Sequence, residues 1–222
     1  MRKTDGLKRQ WKILVISDVV ESYVYSNSIK ERFEGIDFVI SCGDLPFNYY
    51  DFIVSSLNVP LFYVLGNHPP KIPSRGSKLW LDEYPPGCIN LDSRVVVYKG
   101  LRLSGAKGAL RYNRNPWSPQ FTQGEMQRKL WRMWPRLYWE RLRCGRALDI
   151  FVSHAPPFSI HDLPDQCHTG FKAFLSFMKR FKPRFLIHGH VHLYDRNAEW
   201  KTDYEHTSVV NAYGYKVIEL HL

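Results

Sequence analysis

Acidic residues, cysteines and long apolar runs are all in short supply in this chain, and each shortage excludes something. Across 222 residues, 21 Asp and Glu stand against 31 Lys and Arg, a formal charge of +10. Aromatic and β-branched residues are plentiful, so a natively disordered or low-complexity chain is excluded. The four cysteines (Cys42, Cys88, Cys144, Cys167) lie far apart with no C-x-x-C pair, which excludes a dense disulfide framework and predicts reduced thiols. The apolar stretch nearest a spanning length, 52–67, is interrupted by Asn58 and Pro60, so no transmembrane helix is expected. The basic N-terminus runs into a strand pattern without an apolar signal region. A soluble, cytoplasmic protein is the expectation. No G-x-S-x-G elbow, phosphate-binding G-x-x-x-x-G-K-[ST] loop, G-x-G-x-x-G fingerprint or internal repeat occurs. Serine-nucleophile chemistry and the two common nucleotide loops therefore drop out.

What the chain does have is a recurring unit. Short apolar runs end in polar or glycine punctuation: 12–17 before Asp18, 37–41 before Cys42-Gly43-Asp44, and 60–65 before Gly66-Asn67-His68. Two more follow, 149–153 before His154 and 184–187 before His188-Gly189-His190-Val191-His192. Segments 26–33, 48–57 and 171–181 have helical length and period. The alternation predicts an α/β fold with covered sheet faces. Further strands are expected at 94–98, 101–104, 207–212 and 215–220, paired as hairpins across Lys99-Gly100 and Tyr213-Gly214.

Asp18, Asp44, Asn67, His154, His190 and His192 all fall just past the C-terminal end of an expected strand, the edge where open α/β sheets bind ligands. Taken singly, Gly-Asp and Gly-Asn-His are commonly turns. Gly189-His190-Val191-His192 is sharper, because alternate residues of an extended segment share a face. Carboxylate, amide and neutral imidazole donors suit borderline divalent cations such as Mn, Fe or Zn. A carboxylate placed between two cations about 3.5–4 Å apart serves phosphoryl chemistry.

Gly43-Asp44, Gly66-Asn67-His68, Ser153-His154-Ala155-Pro156 and Gly189-His190-Val191-His192, in this order, resemble the successive blocks of the calcineurin-like metallophosphoesterase superfamily. The match runs from Ile13 to His192 and is that of a bacterial-type member with an altered first motif. The resemblance implies a single α/β domain over 1–222, a four-layer αββα sandwich holding one or two divalent metal ions. The implied reaction is hydrolysis of a phosphodiester or pyrophosphate by a metal-bound hydroxide on a small phosphorylated substrate. An aromatic and cationic insertion over 106–147 leaves a nucleotide- or lipid-linked one as an open reading. Position by position, Asp44 bridges both metals; Asn67, His154 and His190 complete one site; Asp18 and His192 belong to the other. His68 lies outside the metal shell as the catalytic group that binds phosphate or protonates the leaving oxygen.

One block departs from the pattern. The family's first motif is Asp-x-His, and this chain reads Asp18-Val19-Val20. A weak first site, a one-metal enzyme and a non-catalytic scaffold are the three readings that follow. Glu21 is a candidate substitute ligand, with a loop acid or helix cap as the other reading. Tyr25 is a poorer candidate, because a phenol must lose its proton to bind well. His168, in the loop after Pro157, is a candidate substrate contact, as are Lys107 and Arg111. His188, on the buried side of Gly189, reads as a core or supporting histidine.

The charge is concentrated. From Arg102 to Arg146 eleven Lys and Arg face two acids, Glu125 and Glu140, leaving the rest of the chain nearly neutral. Residues 106–147 form an insertion: 107–121 is expected to be irregular, and a helical pattern follows from Thr122, whose spacing to Glu125 suits a capping box. A break at Pro135 is expected, giving a hairpin or bent helix. A packing cap, a lid guiding a polyanion, and peripheral membrane contact through 122–146 are the open readings; nucleic acid is disfavoured, as no recognised module is present.

Overall fold

β1 (Gln10–Ser17) shows why the chain folds into layers. Its side chains alternate between two buried environments: Ile13 and Val15 enter one apolar cluster, Leu14 and Ile16 another. A strand buried on both faces reads as a continuous apolar run, as 13–16 does. The computed structural model describes residues 10–68, 85, 87–195 and 197–221, so the basic segment 1–9 lies outside the described residues.

One sheet has five strands in the order β13-β1-β2-β3-β4, built from β2 (Phe38–Ser41), β3 (Leu61–Tyr63), β4 (Cys88–Asn90) and β13 (Gly214–His221) around β1. The other has six in the order β11-β12-β10-β9-β6-β5: β5 (Val95–Tyr98), β6 (Leu101–Ala106), β9 (Ile150–Ser153), β10 (Phe185–His188), β11 (Lys201–Tyr204) and β12 (Thr207–Asn211). The sheets face each other across a cluster including Trp11, Phe38, Phe62, Leu103, Val152 and Ile187. The outer face of the five-stranded sheet packs on α1 (Ile29–Arg32) and α2 (Phe47–Leu57). The six-stranded sheet packs on α3 (Gln123–Cys144) and α4 (Lys172–Phe181). This is the αββα order, with β1, β2 and β3 parallel in one sheet and β6, β9 and β10 parallel in the other. Among the described residues no helix is long and apolar enough to cross a membrane. All four cysteines are free.

Two expectations about connections need correction. β5 and β6 form the expected hairpin, with both turn residues at positive φ (Lys99 46°, Gly100 93°), as a type I′ turn requires. β12 and β13 do not pair with each other. β12 lies between β10 and β11, while β13 runs antiparallel to all of β1 in the other sheet. Tyr213-Gly214 offers positive φ only at its second residue (Gly214, 69°), so neither tight-hairpin turn forms and the chain crosses between sheets.

Pro135 does not make the expected break in the helix. α3 runs unbroken through it for 22 residues from the capping box at Thr122 to Gly145, whose φ is 74°. The proline removes one N–H, and Trp131, the residue four back, lies on the same outward face, where water can serve the freed carbonyl. The opposite stripe (Met126, Leu130, Met133, Leu137) is buried on the sheet and holds the helix in line. Part of the basic charge here is answered by a buried carboxylate. Buried Glu140 pairs with Arg102 (3.2 Å), Arg136 (2.8 Å) and Arg143 (3.5 Å). The segment expected to be irregular contains a short parallel pair, β7 (Ala109–Leu110) with β8 (Gln120–Phe121).

Candidate metal centre

The strand ends carry an unusual backbone. Asp18 (φ 65°), Asp44 (57°) and His190 (68°) all sit in the left-handed region, which side chains with a Cβ avoid unless the surroundings over-determine them. Here they are over-determined by one another. The backbone N–H of Asp18 donates to the Gly43 carbonyl (3.2 Å), that of His190 to Asp18 Oδ2 (2.9 Å), and that of His68 to Asp44 Oδ1 (2.9 Å). The glycines of the motifs are required by close approach: a Cβ on Gly189 would lie 1.9 Å from Ser17 Oγ and 2.5 Å from Asp18 Oδ2.

This lattice brings Asp18, Asp44 and His154 together, their donor atoms all within 4.8 Å of one another. His154 is fully buried, and its Nδ1 donates to the Cys42 carbonyl at 2.8 Å. Its Nε2 then faces two oxygens, Asn67 Oδ1 at 2.8 Å and Asp44 Oδ2 at 3.3 Å. Asn67 is oriented the same way from behind, since its Nδ2 donates to the Tyr112 hydroxyl at 3.1 Å. Two oxygen acceptors therefore converge on one buried ring nitrogen, and a proton on His154 Nε2 is the one donor between them. Burial pushes that imidazole down, but the Asp44 charge and hydrogen bond outweigh it and lift its pKa to about 9. Burial likewise works to raise Asp44, and the neighbouring His154 with the His68 N–H prevails, holding the carboxyl at about 2. A divalent cation answers the same excess of acceptors, so the residues present fit one. His190 stands beside His154, ring centroids 4.8 Å apart. Its Nε2 donates to the Cys167 carbonyl (2.8 Å), and its donor atoms group with those of Cys167 and His168 rather than with the Asp18–Asp44–His154 set. Burial first, and His154 second, lower its pKa to about 3, keeping the ring neutral.

The other expected residues are placed less centrally. His192 is exposed, stacked on Tyr213 (4.6 Å), with Nδ1 to the Tyr194 hydroxyl at 2.9 Å, and is not in the Asp18–Asp44–His154 group. Glu21 is not in that group either. Its carboxylate lies over Gly214, Oε1 2.6 Å from where a Cβ on that glycine would be. Tyr25 packs edge-on against Phe52 (4.5 Å) and Tyr49 (5.5 Å). Val20 is exposed. His68 is exposed, tied to the cluster by its backbone, and His168 pairs with Asp165 (2.9 Å) while its ring lies 5.1 Å from that of His190. Lys107 and Arg111 line a cavity against α3. His188 is buried and supports rather than ligates: its Nδ1 donates to the Gly189 carbonyl and its Nε2 meets His161 Nδ1 at 3.0 Å.

A model of the calcineurin-like phosphoesterase family matches residues 12–194 of this sequence. The chain belongs to the calcineurin-like phosphoesterase family. Solved structures share its fold. TT1561 of Thermus thermophilus is 12% identical with a TM-score of 0.62, over 96% of this chain and 99% of that one. GAP50, the anchor in the inner membrane complex of Plasmodium, is 14% identical with a TM-score of 0.51, over 91% and 71%. No curated protein matches the sequence. Within the family's ligand pattern this phosphoesterase-type chain adds contacts that no motif announces: Tyr112 on Asn67 Nδ2, and Ser118 Oγ on the Asn67 carbonyl (2.5 Å). Both come from the insertion, 45 and 51 residues along the chain, and only the tertiary fold brings them to the site.

Proposed function

We propose that this chain hydrolyses a phosphodiester or pyrophosphate bond in a small phosphorylated substrate, with divalent metal held by Asp18, Asp44, Asn67, His154 and His190, and His192 at the rim. The observation that carries the reading is the buried His154 Nε2, aimed at two oxygen acceptors while Nδ1 is already committed to the Cys42 carbonyl. A cation bound there would supply Lewis-acid charge for the phosphoryl oxygens and for activation of water. The chain's own residues do the rest. The Cys42 carbonyl fixes the His154 tautomer, and Tyr112 turns the oxygen of Asn67 inward. Asp44, held as a carboxylate, keeps negative charge where the cation sits. His68 stands exposed at the mouth with its backbone bound to Asp44, so its ring can carry a proton to the leaving oxygen.

One observation favours a second reading, a scaffold that keeps the fold without turnover: Val20 stands where the first motif has its imidazole. GAP50, named as an anchor, has a similar fold. Hydrolysis of bis-p-nitrophenyl phosphate by the purified chain with added Mn²⁺ separates the two. The enzyme reading expects turnover that falls by about 100-fold or more in Asp44→Asn and in His154→Ala. No turnover with Mn²⁺, Fe²⁺ or Zn²⁺ across diesters and pyrophosphates would leave the scaffold.

A further inference from the structure

Between the insertion's loop and the start of α3 lies a cavity of about 480 Å³ whose lining includes Lys107, Arg111, Arg128, Lys129 and Arg132. None of these is a metal ligand. Two carboxylates answer the five cations: Asp92 holds Lys129 (2.6 Å) and Lys107 (3.6 Å), and Glu125 holds Arg111 (2.8 Å). Arg128 and Arg132 make no ion pair among the described residues, and each is exposed on α3 one turn from the other, so both forks face the same side. The pocket keeps a surplus of three positive charges, with Arg128 and Arg132 exposed at its wall on α3. Lys129 is pinned between Asp92 and the Phe121 ring, 4.5 Å from its centroid.

We propose that this cavity is an anion site for a condensed phosphate, a pyrophosphate group with two adjoining phosphoryl units. Three charges match two phosphoryl groups at about −1.5 each. Two guanidinium forks without acidic partners suit bidentate capture of tetrahedral oxyanions. A pocket of about 480 Å³ has room for a small polyanion. A second cavity of about 350 Å³, lined in part by Arg111, Arg114 and Ser118, shares Arg111 and Gln120 with the first, and Ser118 donates to the Asn67 carbonyl. Cationic lining thus continues from the pocket toward the metal centre. The site stands whether or not that centre turns over.

Calorimetric titration of the full chain with orthophosphate, pyrophosphate and ADP tests it. Pyrophosphate should bind about 10-fold more tightly than orthophosphate, or better. Binding should weaken by about 10-fold or more in Arg128→Glu/Arg132→Glu, and persist in Asp44→Asn, which disables the metal centre. The exposed positions of both arginines on α3 leave folding intact, as circular dichroism would verify, and Arg128→Lys/Arg132→Lys should retain part of the affinity. ADP binding as tightly as pyrophosphate marks a nucleotide-borne group, and exclusion of ADP marks the free ion. The proposal is overturned by absent pyrophosphate binding, by no preference over orthophosphate, by full binding in the glutamate double variant, or by loss of binding in Asp44→Asn.

Discussion

Replacing Gly66 with alanine adds one methyl group against Asp44 and His154 of the candidate metal centre. A Cβ there would lie 2.0 Å from Asp44 Oδ1, 2.5 Å from its Cγ and 2.7 Å from His154 Cε1. Ordinary contact between heavy atoms is about 3.5 Å, so the carboxylate oxygen must retreat by roughly 1.5 Å or the backbone must yield. That oxygen also accepts the His68 N–H, and the other oxygen faces His154 Nε2. The methyl therefore displaces the Asp44 carboxylate and the buried His154 imidazole together. Gly66 is not among the residues at positive φ, so the clash acts alone, without added backbone strain. Overpacking of this kind costs about 1–3 kcal/mol of stability. Misplacing a reacting constellation by about 1 Å costs on the order of 100-fold in rate. Gly66→Ala should thus lower Mn²⁺-dependent kcat/KM on bis-p-nitrophenyl phosphate about 100-fold while the folded protein persists, its urea midpoint shifted only modestly. Gly124→Ala is the control, because a Cβ there, in the first turn of α3, meets nothing within 4 Å. Wild-type kcat/KM in Gly66→Ala would refute the placement of Asp44 and His154 in the reacting centre.

Three further outcomes follow from particular residues. Val20 is exposed and has room for an imidazole, so Val20→His should tighten binding of a second Mn²⁺ or raise turnover; calorimetry that shows neither would mean the first site does not use that position. Glu140→Gln strips the charge from a fully buried carboxylate with Arg102 against it at 3.2 Å, and should cost about 3 kcal/mol in urea unfolding. Burial, reinforced by His161, lowers the His188 pKa to about 3. Between pH 6.5 and 3 the unfolded chain therefore binds a proton that the folded chain does not, and stability falls with falling pH by up to about 1.4 kcal/mol per unit. His188→Gln should flatten that slope; an unchanged slope would place the proton elsewhere.

The layers and the ligand edge were legible in the sequence because both rest on local pattern. The run 13–16 announces a strand buried on both faces. Asp18, Asp44 and His154 follow one to three residues after their strands, so position along the chain predicts their meeting. His192, four residues past β10, lies exposed outside their group. The errors lie where that correspondence fails. Nothing within 207–220 says that β13 finds its partner in β1 rather than in β12; only the turn chemistry of Tyr213-Gly214 argues against a hairpin. Pro135 is a helix breaker by propensity, and the buried stripe Met126–Leu137 overrides it. Net charge was informative only in part. It located the insertion, but Glu140, Asp149, Asp92 and Glu125 take up several of its cations, and what remains open to a ligand is set by tertiary packing. Tyr112 and Ser118 reach Asn67 from the same insertion, a contact with no short-range signature.

The central claim is that the acceptors converging on His154 Nε2 hold a divalent cation. Calorimetric titration of Mn²⁺ into the chelator-treated chain, with His154→Ala alongside, tests it most directly. At least one tight equivalent in the wild type, lost in His154→Ala, is the result this geometry predicts. An absence of Mn²⁺, Fe²⁺ and Zn²⁺ binding, or binding that His154→Ala leaves unchanged, would contradict it.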